Sequence, residues 1–536
     1  MGGGTMSILR RILIMAALIS VLRGNFTWAQ QSGVDQVVDR IVQRENEEVK
    51  TLQQYHPIIE TYVQDMRAGQ ELGSPPITDH YFLGRMTLSE GKVQRPSEVD
   101  KKEKSKSVKQ EGLSRLFNKE TIAHGFLTLI YVDSNGFDRQ HYRFDYVRRE
   151  FLGDVRCFVF DVSPLEEKGG DHFLGRIWVE DQDYTIVRFN GTNSSAEHSK
   201  AYRLHCDSWR MNLVPRVWVP AYIYSAESDA DNKLSNNILF QAQTLFWGYG
   251  PNNSPAEYSS TAASQPASGH ENEEVGLDRL QAAGLLAPSG PVDKVLYTIA
   301  NNLAVSNNLD IEPDVACRVL LTTTLESFTI GHTILVSRGL LDVLPDEASL
   351  AMILAHELAH ILSGHTLSDQ WAVRDWSEFM VKDRFNHFGF PINAGVEETA
   401  NEKAVQLLQG SPYKDKLGNS VLFMQMIGSQ AQSLPSLISP HVRSQAPIAN
   451  RLSAVAPSAA SKEQSITVLP MGSRIELNPW TSQIDLVKSK PNTLVSTRKR
   501  QDLLINPSML HLVRQTMGGP VQQGKSVSDD PSKPTQ

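Results

Sequence analysis

From Asp346 to Leu362 the chain has neither proline nor glycine, and nearly every residue is a good helix former. Pro345 and the acidic pair Asp346–Glu347 stand at its start, where a fixed φ and the helix dipole favour them. The pattern predicts an apolar helix with His356, Glu357 and His360 inside it. Four positions apart, the two imidazoles leave one helix face about one turn from each other. Zinc takes imidazole nitrogen at ~2.0–2.1 Å, which both rings can supply to one ion. Glu357 points slightly aside, where it can take a proton from a water that the metal activates. This is the H-E-x-x-H arrangement. Two histidines and a glutamate are costly to bury in an apolar helix without a metal, so one Zn2+ per chain is expected.

A third ligand is needed. The metzincin type would place Gly at 363 and His at 366, but the chain has Ser363-Gly364-His365-Thr366. A second helix is predicted from Val396 to Leu408, stopping at Gly410. Glu397, Glu398 and Glu402 compete there. Glu397 shares a face with Ala400, Ala404 and Leu408, small or apolar residues that allow close packing on the first helix. Glu398 is rotated about 100° away by the helical period. Asn401, four positions on, is expected to reach back to the ligand.

Residues from about Val292 to Arg451 resemble the M48 peptidases, membrane-anchored and periplasmic gluzincins. The matching features are Ile334–Leu341, Asp346-Glu347, His356-Glu357-Leu358-Ala359-His360, Gly364-His365 and the Glu397–Ala404 helix. The resemblance implies His356, His360 and Glu397 as metal ligands, Glu357 as general base, and hydrolysis of protein or peptide substrates. It also implies that the segment Glu326–His332 is an edge strand able to hold substrate by main-chain pairing. There are departures. Asn401 stands where the family has Asp, and Glu326 and Gly331-His332 replace its Asn and its Pro-Gly pair. Of a later His-Pro motif ahead of an Arg, Pro447 and Arg451 fit, but Gln445 takes the histidine place. His441 is the nearest substitute, so His441 and Arg451 are the candidates for stabilising the transition state.

Elsewhere the period changes. Val34 to Arg67 is read as a polar helix with Val37, Val38, Ile41 and Val42 as its apolar stripe. Phe126–Val132 is read as a strand closed by the turn signal Ser134-Asn135-Gly136, and strands follow at Cys157–Val162, Arg176–Val179, Thr185–Phe189, Arg216–Tyr224 and Ile238–Trp247. Such a sheet weakly resembles the half-barrel of lipoprotein carrier and sorting proteins, whose concave apolar face could hold an acyl chain. A further strand is expected at Ser327–Ser337, and short ones at Ile466–Leu469, Arg474–Leu477 and Ile484–Val487.

The fold class expected is therefore α+β: an antiparallel half-barrel-like β domain followed by a mainly helical gluzincin domain. Arg10-Arg11, the apolar run Ile12–Leu22 and Thr27-Trp28-Ala29 have the order of a cleavable signal peptide over 1–29. The apolar run falls short of the ~20 residues that span a bilayer. Further boundaries are 34–250 for the first helix and β domain, 251–274 for a Ser/Pro/Asn-rich linker and 275–460 for the peptidase domain. A C-terminal extension follows at 461–520 and a disordered tail at 521–536. The expected location is secreted or periplasmic, with peripheral membrane contact allowed. A formal charge of −8 and no domain-scale basic surface argue against a nucleic-acid partner. The lysines from Lys101 to Lys109 read as a solvated loop. Three cysteines are too few for a disulfide framework, though Cys157 and Cys206 could pair, leaving Cys317 as a buried thiol.

The expected function is zinc metalloendopeptidase, in cell-envelope protein quality control. The rivals are a lipid or lipoprotein carrier and a chaperone-like factor with a weakly active peptidase domain.

Overall fold

The structure is a computed structural model that describes residues 33–66, 76–85, 88, 126–133, 136–165, 172–194, 203–228, 238–249, 269–364, 393–455, 475–477, 483–486 and 503–515. The expected signal peptide, lysine-rich loop, Ile466–Leu469 strand, disordered tail and most of the linker lie outside these residues.

The helix expected to reach Arg67 covers only residues 33–52 (α1), and Ile58–Asp65 is a strand, β1. Pro57 disfavours helical backbone at the residue before it, which stops the helix early. Then come β2 (Thr78–Arg85), β3 (Tyr142–Leu152), β4 (Val155–Pro164), β5 (His172–Glu180) and β6 (Ile186–Ser194). They are followed by β7 (Arg203–Val214), β8 (Val217–Ser228) and β9 (Ile238–Trp247). All nine form one antiparallel sheet in the order β2-β1-β9-β8-β7-β6-β5-β4-β3, not closed into a barrel. The first strand, β1, pairs with the last, so the sheet ends on β2 and β3.

Each face of the sheet has a core. One buries Ile59, Val63, Phe160, Ile177, Phe189, Ile223 and Phe246 against Val38 and Ile41 of α1. Residues 126–132 plug the same core. They do not form the expected strand, because Thr128–Ile130 is a 3-10 turn. Their continuous apolar run lacks the alternation that distinguishes a half-buried strand. Of the expected turn, Ser134 and Asn135 lie outside the described residues. The other face buries Ile58, Tyr62, Leu83, Trp178, Trp209, Trp218 and Trp247 in a core continuous with that of the helical region.

The same two-faced geometry corrects the disulfide expectation. Cys157 belongs to one core and Cys206 to the other, on opposite sides of the sheet. Both are free and buried, as is Cys317.

Beyond the sheet the chain is mostly helical: α2 (Gly269–Ala283), α3 (Pro291–Ser306), a strand β10 (Ala316–Leu320), then β11 (Ser327–Ile330) and β12 (Thr333–Ser337). The single strand expected over Ser327–Ser337 is thus a hairpin, turning at Gly331-His332 with Gly331 at φ +58°. A side chain at 331 would also strike Glu273 of α2, which binds the turn through His332 N and Thr333 Oγ1. The small sheet runs β10-β12-β11, with β11 at its edge. There follow α4 (Arg338–Val343), α5 (Glu347–Leu362), α6 (Ala394–Gln409), α7 (Gly418–Gln430), α8 (Pro440–Ser444) and α9 (Pro447–Val455). A last hairpin pairs β13 (Ile475–Leu477) with β14 (Ile484–Leu486), within two of the expected strands. No helix among the described residues is long and apolar enough to cross a membrane.

Candidate metal centre

Helix α5 starts where the sequence places it: Asp346 caps it by accepting the Ser349 N–H at 2.9 Å. Every residue from Met352 to Ile361 is buried, so the two histidines stand in an apolar wall. Helix α6 packs along α5 and turns Glu397, Ala400, Asn401, Ala404 and Leu408 inward. Glu398 and Glu402 face out and hold Arg451. The helix register inferred from the small residues is thus the observed one.

The inward groups converge. His356 Nε2 and His360 Nε2 are 3.0 Å apart, and Glu397 oxygens lie 3.4 and 3.7 Å from them. Four ligand tetrahedra built on bonds of ~2.0–2.1 Å have edges of ~3.3–3.4 Å, the separation these atoms bracket. Two imidazole nitrogens facing each other with a carboxylate beside them form a fitting zinc donor set. His441 joins them: one donor atom each from His356, His360, Glu397 and His441 lies within 4.8 Å of the others.

His441 lies between two carboxylates, with Nε2 at 3.1 Å from Glu357 Oε1 and Nδ1 at 3.4 Å from Glu397 Oε1. Burial alone would push its pKa down, but Glu357 and Glu397 outweigh it and raise it to about 10. Glu357 responds in the opposite sense. Burial pushes its carboxyl up, yet His441, with His356 and His360, brings it to about 2. Burial also opposes ionisation of Glu397, which contacts with His356 and His441 nonetheless hold well below the carboxylate range. Burial carries His360 down to about 4. Both carboxylates are therefore ionised and His360 is neutral at pH 7, the states a metal ligand set requires.

Two partners of the base were not foreseen. Ser327 Oγ donates to Glu357 Oε1 at 2.6 Å, and Gln445 Nε2 donates to the same oxygen at 3.1 Å. Gln445 also lies 3.1 Å from Ser327 Oγ. Among the described residues no donor meets the buried Glu357 Oε2, so one oxygen is fixed and the other is not. Gln445, noted in sequence only as a departure, thus sits in the centre itself. Ser444 is a third unforeseen member, donating to Glu397 Oε2 at 2.5 Å. Asn401 was expected to reach Glu397 and does so only indirectly, through its Nδ2 bond of 2.9 Å to the Ser444 carbonyl.

Arg451 is a correction. It is bound to Glu398 and Glu402 on the solvated side of α6, not to the cluster, because its helix faces the outer surface of α6. The edge strand β11 is where the sequence places it, but all four residues are buried. Leu325, two residues before it, is already bridged to Ile438.

Comparison with known proteins agrees on the helical region. A solved outer-membrane lipoprotein-sorting protein domain from Vibrio parahaemolyticus is similar at 10% identity and a TM-score of 0.18, covering 38% of this chain and 88% of that one. No curated protein matches. The family model described as peptidase family M48 matches residues 293–494, a span that holds α5, α6, Glu357 and His441. The helical C-terminal region therefore bears a peptidase family M48 domain.

Proposed function

We propose that this chain is a zinc metalloendopeptidase that cleaves proteins outside the cytoplasm. The observation that carries this is the convergence of His356, His360 and Glu397 with Glu357 beside them, its Oε2 without a partner among the described residues. A zinc ion held by His356, His360 and Glu397 would act as a Lewis acid on a peptide carbonyl and lower the pKa of a water. The remaining work falls to the protein. Ionised at pH 7, Glu357 accepts the proton of the attacking water at Oε2 while Ser327 and Gln445 hold Oε1. Having taken that proton, Glu357 passes it to the leaving amine, as microscopic reversibility asks of one carboxyl in two roles. His441 presents a positive ring next to both carboxylates, in place to stabilise charge on the carbonyl oxygen. The resemblance to peptidase family M48 would put the substrate backbone along β11, beside Ser327.

The compartment rests on residues 1–29, whose basic start, apolar run and small residues support export. Quality control of envelope proteins is one role that fits such a location. A chaperone without catalysis gives no reason for an ionised base beside paired histidines.

Zinc analysis of the purified protein beside Glu357→Gln, with casein hydrolysis measured on both, tests the proposal. Both proteins should hold about one zinc, and hydrolysis should fall ~10²–10⁴-fold in the variant. Equal hydrolysis would remove Glu357 from the mechanism, and a zinc-free wild type would remove the metal.

A further inference from the structure

Residues 503–515 have neither helix nor strand, yet they lie along the β domain in an ordered path. Their backbone makes six of the bonds that hold them, beside side-chain ion pairs of His511 with Asp154 and of Arg514 with Glu180 and Asp183. Gln64 is a buried clamp: its Nε2 donates to the Leu503 carbonyl at 2.5 Å and its Oε1 accepts the Ile505 N–H at 3.0 Å. Gln241 fixes that amide by donating to Oε1 at 3.0 Å. Further along, Tyr222 OH donates to the Asn506 carbonyl at 3.2 Å, and the Asp154 N–H to the Leu512 carbonyl at 2.8 Å. Asn212 Oδ1 accepts the Gln515 N–H at 2.7 Å. These are the bonds that a sheet edge or a peptide receptor makes with any extended chain, whatever its side chains.

The seat is shaped for a backbone. Gly153, at φ +64° in the β3–β4 turn, lets Leu512 approach so closely that a Cβ there would lie 2.5 Å from Leu512 N. Only Leu503, Ile505 and Leu512 bury their side chains fully, as anchors in the core shared with the sheet. Met509 and Val513 point into solvent, at 68% and 38% exposure. Arg514 adds an ionic end contact with Glu180 and Asp183. Three anchors must offset the ordering of the whole segment, so the strap is held far less firmly than the sheet beneath it.

We propose that this groove is a receptor for extended polypeptide, filled in this structure by the chain's own residues 503–515. A stretch of another protein with apolar residues at the spacing of Leu503, Ile505 and Leu512 can take their place. Its backbone would be gripped by Gln64, Tyr222, Asp154 and Asn212. The groove is a second protein-binding surface, separate from the metal centre, and it does not depend on the zinc reading.

The test uses the full-length chain. In Leu503→Asp/Ile505→Asp the strap is unseated and the groove is open. Two fluorescent synthetic peptides are titrated by anisotropy: one with residues 501–516, the other of unrelated sequence with apolar residues kept at positions 503, 505 and 512. The double variant should bind both at least about tenfold more tightly than the unaltered protein, and adding Gln64→Ala should return it to that weaker level. A folded double variant that binds neither peptide, or only the chain's own sequence, overturns the proposal. Should the double variant fail to fold, hydrogen exchange on the unaltered protein decides. The Ile505 and Gln515 amides should exchange at least about tenfold faster than those of β8 and β9. Equal protection would mean a permanent structural segment and no receptor.

Discussion

Asp79, on β2, holds Leu437: its Oδ2 accepts the Leu437 backbone N–H at 2.7 Å while Oδ1 takes that of Ser436 at 2.8 Å. The Leu437 carbonyl in turn accepts the Leu325 N–H at 2.7 Å. One carboxylate of the β sheet thereby fixes the segment entering α8, which carries His441 and Ser444, against the segment entering β11, which carries Ser327. Glu60 makes a parallel tie, accepting Thr323 N at 2.6 Å and Arg338 at 3.2 Å. The sheet braces the metal centre from behind.

Asp79→Ala is therefore expected to weaken both stability and catalysis. The buried Leu437 N–H, the part-buried Ser436 N–H and the Tyr62 hydroxyl lose their acceptor, at roughly 1–3 kcal/mol for each buried unsatisfied group. Urea unfolding should show the loss, and turnover per folded molecule should fall as α8 loosens. Wild-type turnover in the folded fraction would show that the brace does not reach the centre.

Arg210 is wholly buried and makes two bonds of 2.7 Å to Glu45 of α1, with further bonds to the carbonyls of Ile186 and Ile130. Arg210→Met should cost roughly 3–5 kcal/mol, because Glu45 is left buried and uncompensated. Adding Glu45→Gln should recover part of that loss. Chemical denaturation of the three variants measures it, and additive costs in the double variant would contradict a coupled pair.

The thiols give a test that needs no substitution. Burial raises Cys157, Cys206 and Cys317 each to about 12, so none is a thiolate at pH 8. A thiol reagent at pH 8 should find no reactive group in the native protein and three after denaturation. Fewer than three in the denatured, unreduced protein would reveal a disulfide.

Ser327→Ala and Gln445→Ala each remove one donor from Glu357 Oε1 without touching His356, His360 or Glu397. Zinc content should stay at about one, while hydrolysis should fall by an amount on the order of tenfold as the base loses its fixed orientation. Loss of the metal in either variant would place these residues among its supports instead.

The two helices of the centre were legible because their signals are local. The cap at Asp346, the stop at Gly410 and the small-residue face of α6 each lie within a turn or two of what they determine. Strand β9 was legible in the same way, from Ile238 to Trp247. Strand β1 was not, since both of its faces are buried and Ile58–Val63 shows no polar alternation. Ser327 and Gln445 lie 118 positions apart, and nothing in either neighbourhood says that folding joins them. Arg210 reads as a surface cation until α1 is laid over it. Arg451 fitted a motif by spacing alone, and spacing does not say which side of a helix meets the centre.

Zinc content after substitution of single glutamates on α6 bears most directly on the metal centre. Glu397 lies 3.4 Å from His356 Nε2, whereas Glu398 and Glu402 hold Arg451 at the surface. Metal analysis should find Glu397→Ala depleted of zinc and inactive, with Glu398→Ala and Glu402→Ala each keeping about one zinc per chain and full hydrolysis. A Glu397→Ala protein that keeps its zinc, or a Glu398→Ala protein that loses it, would contradict the centre as described.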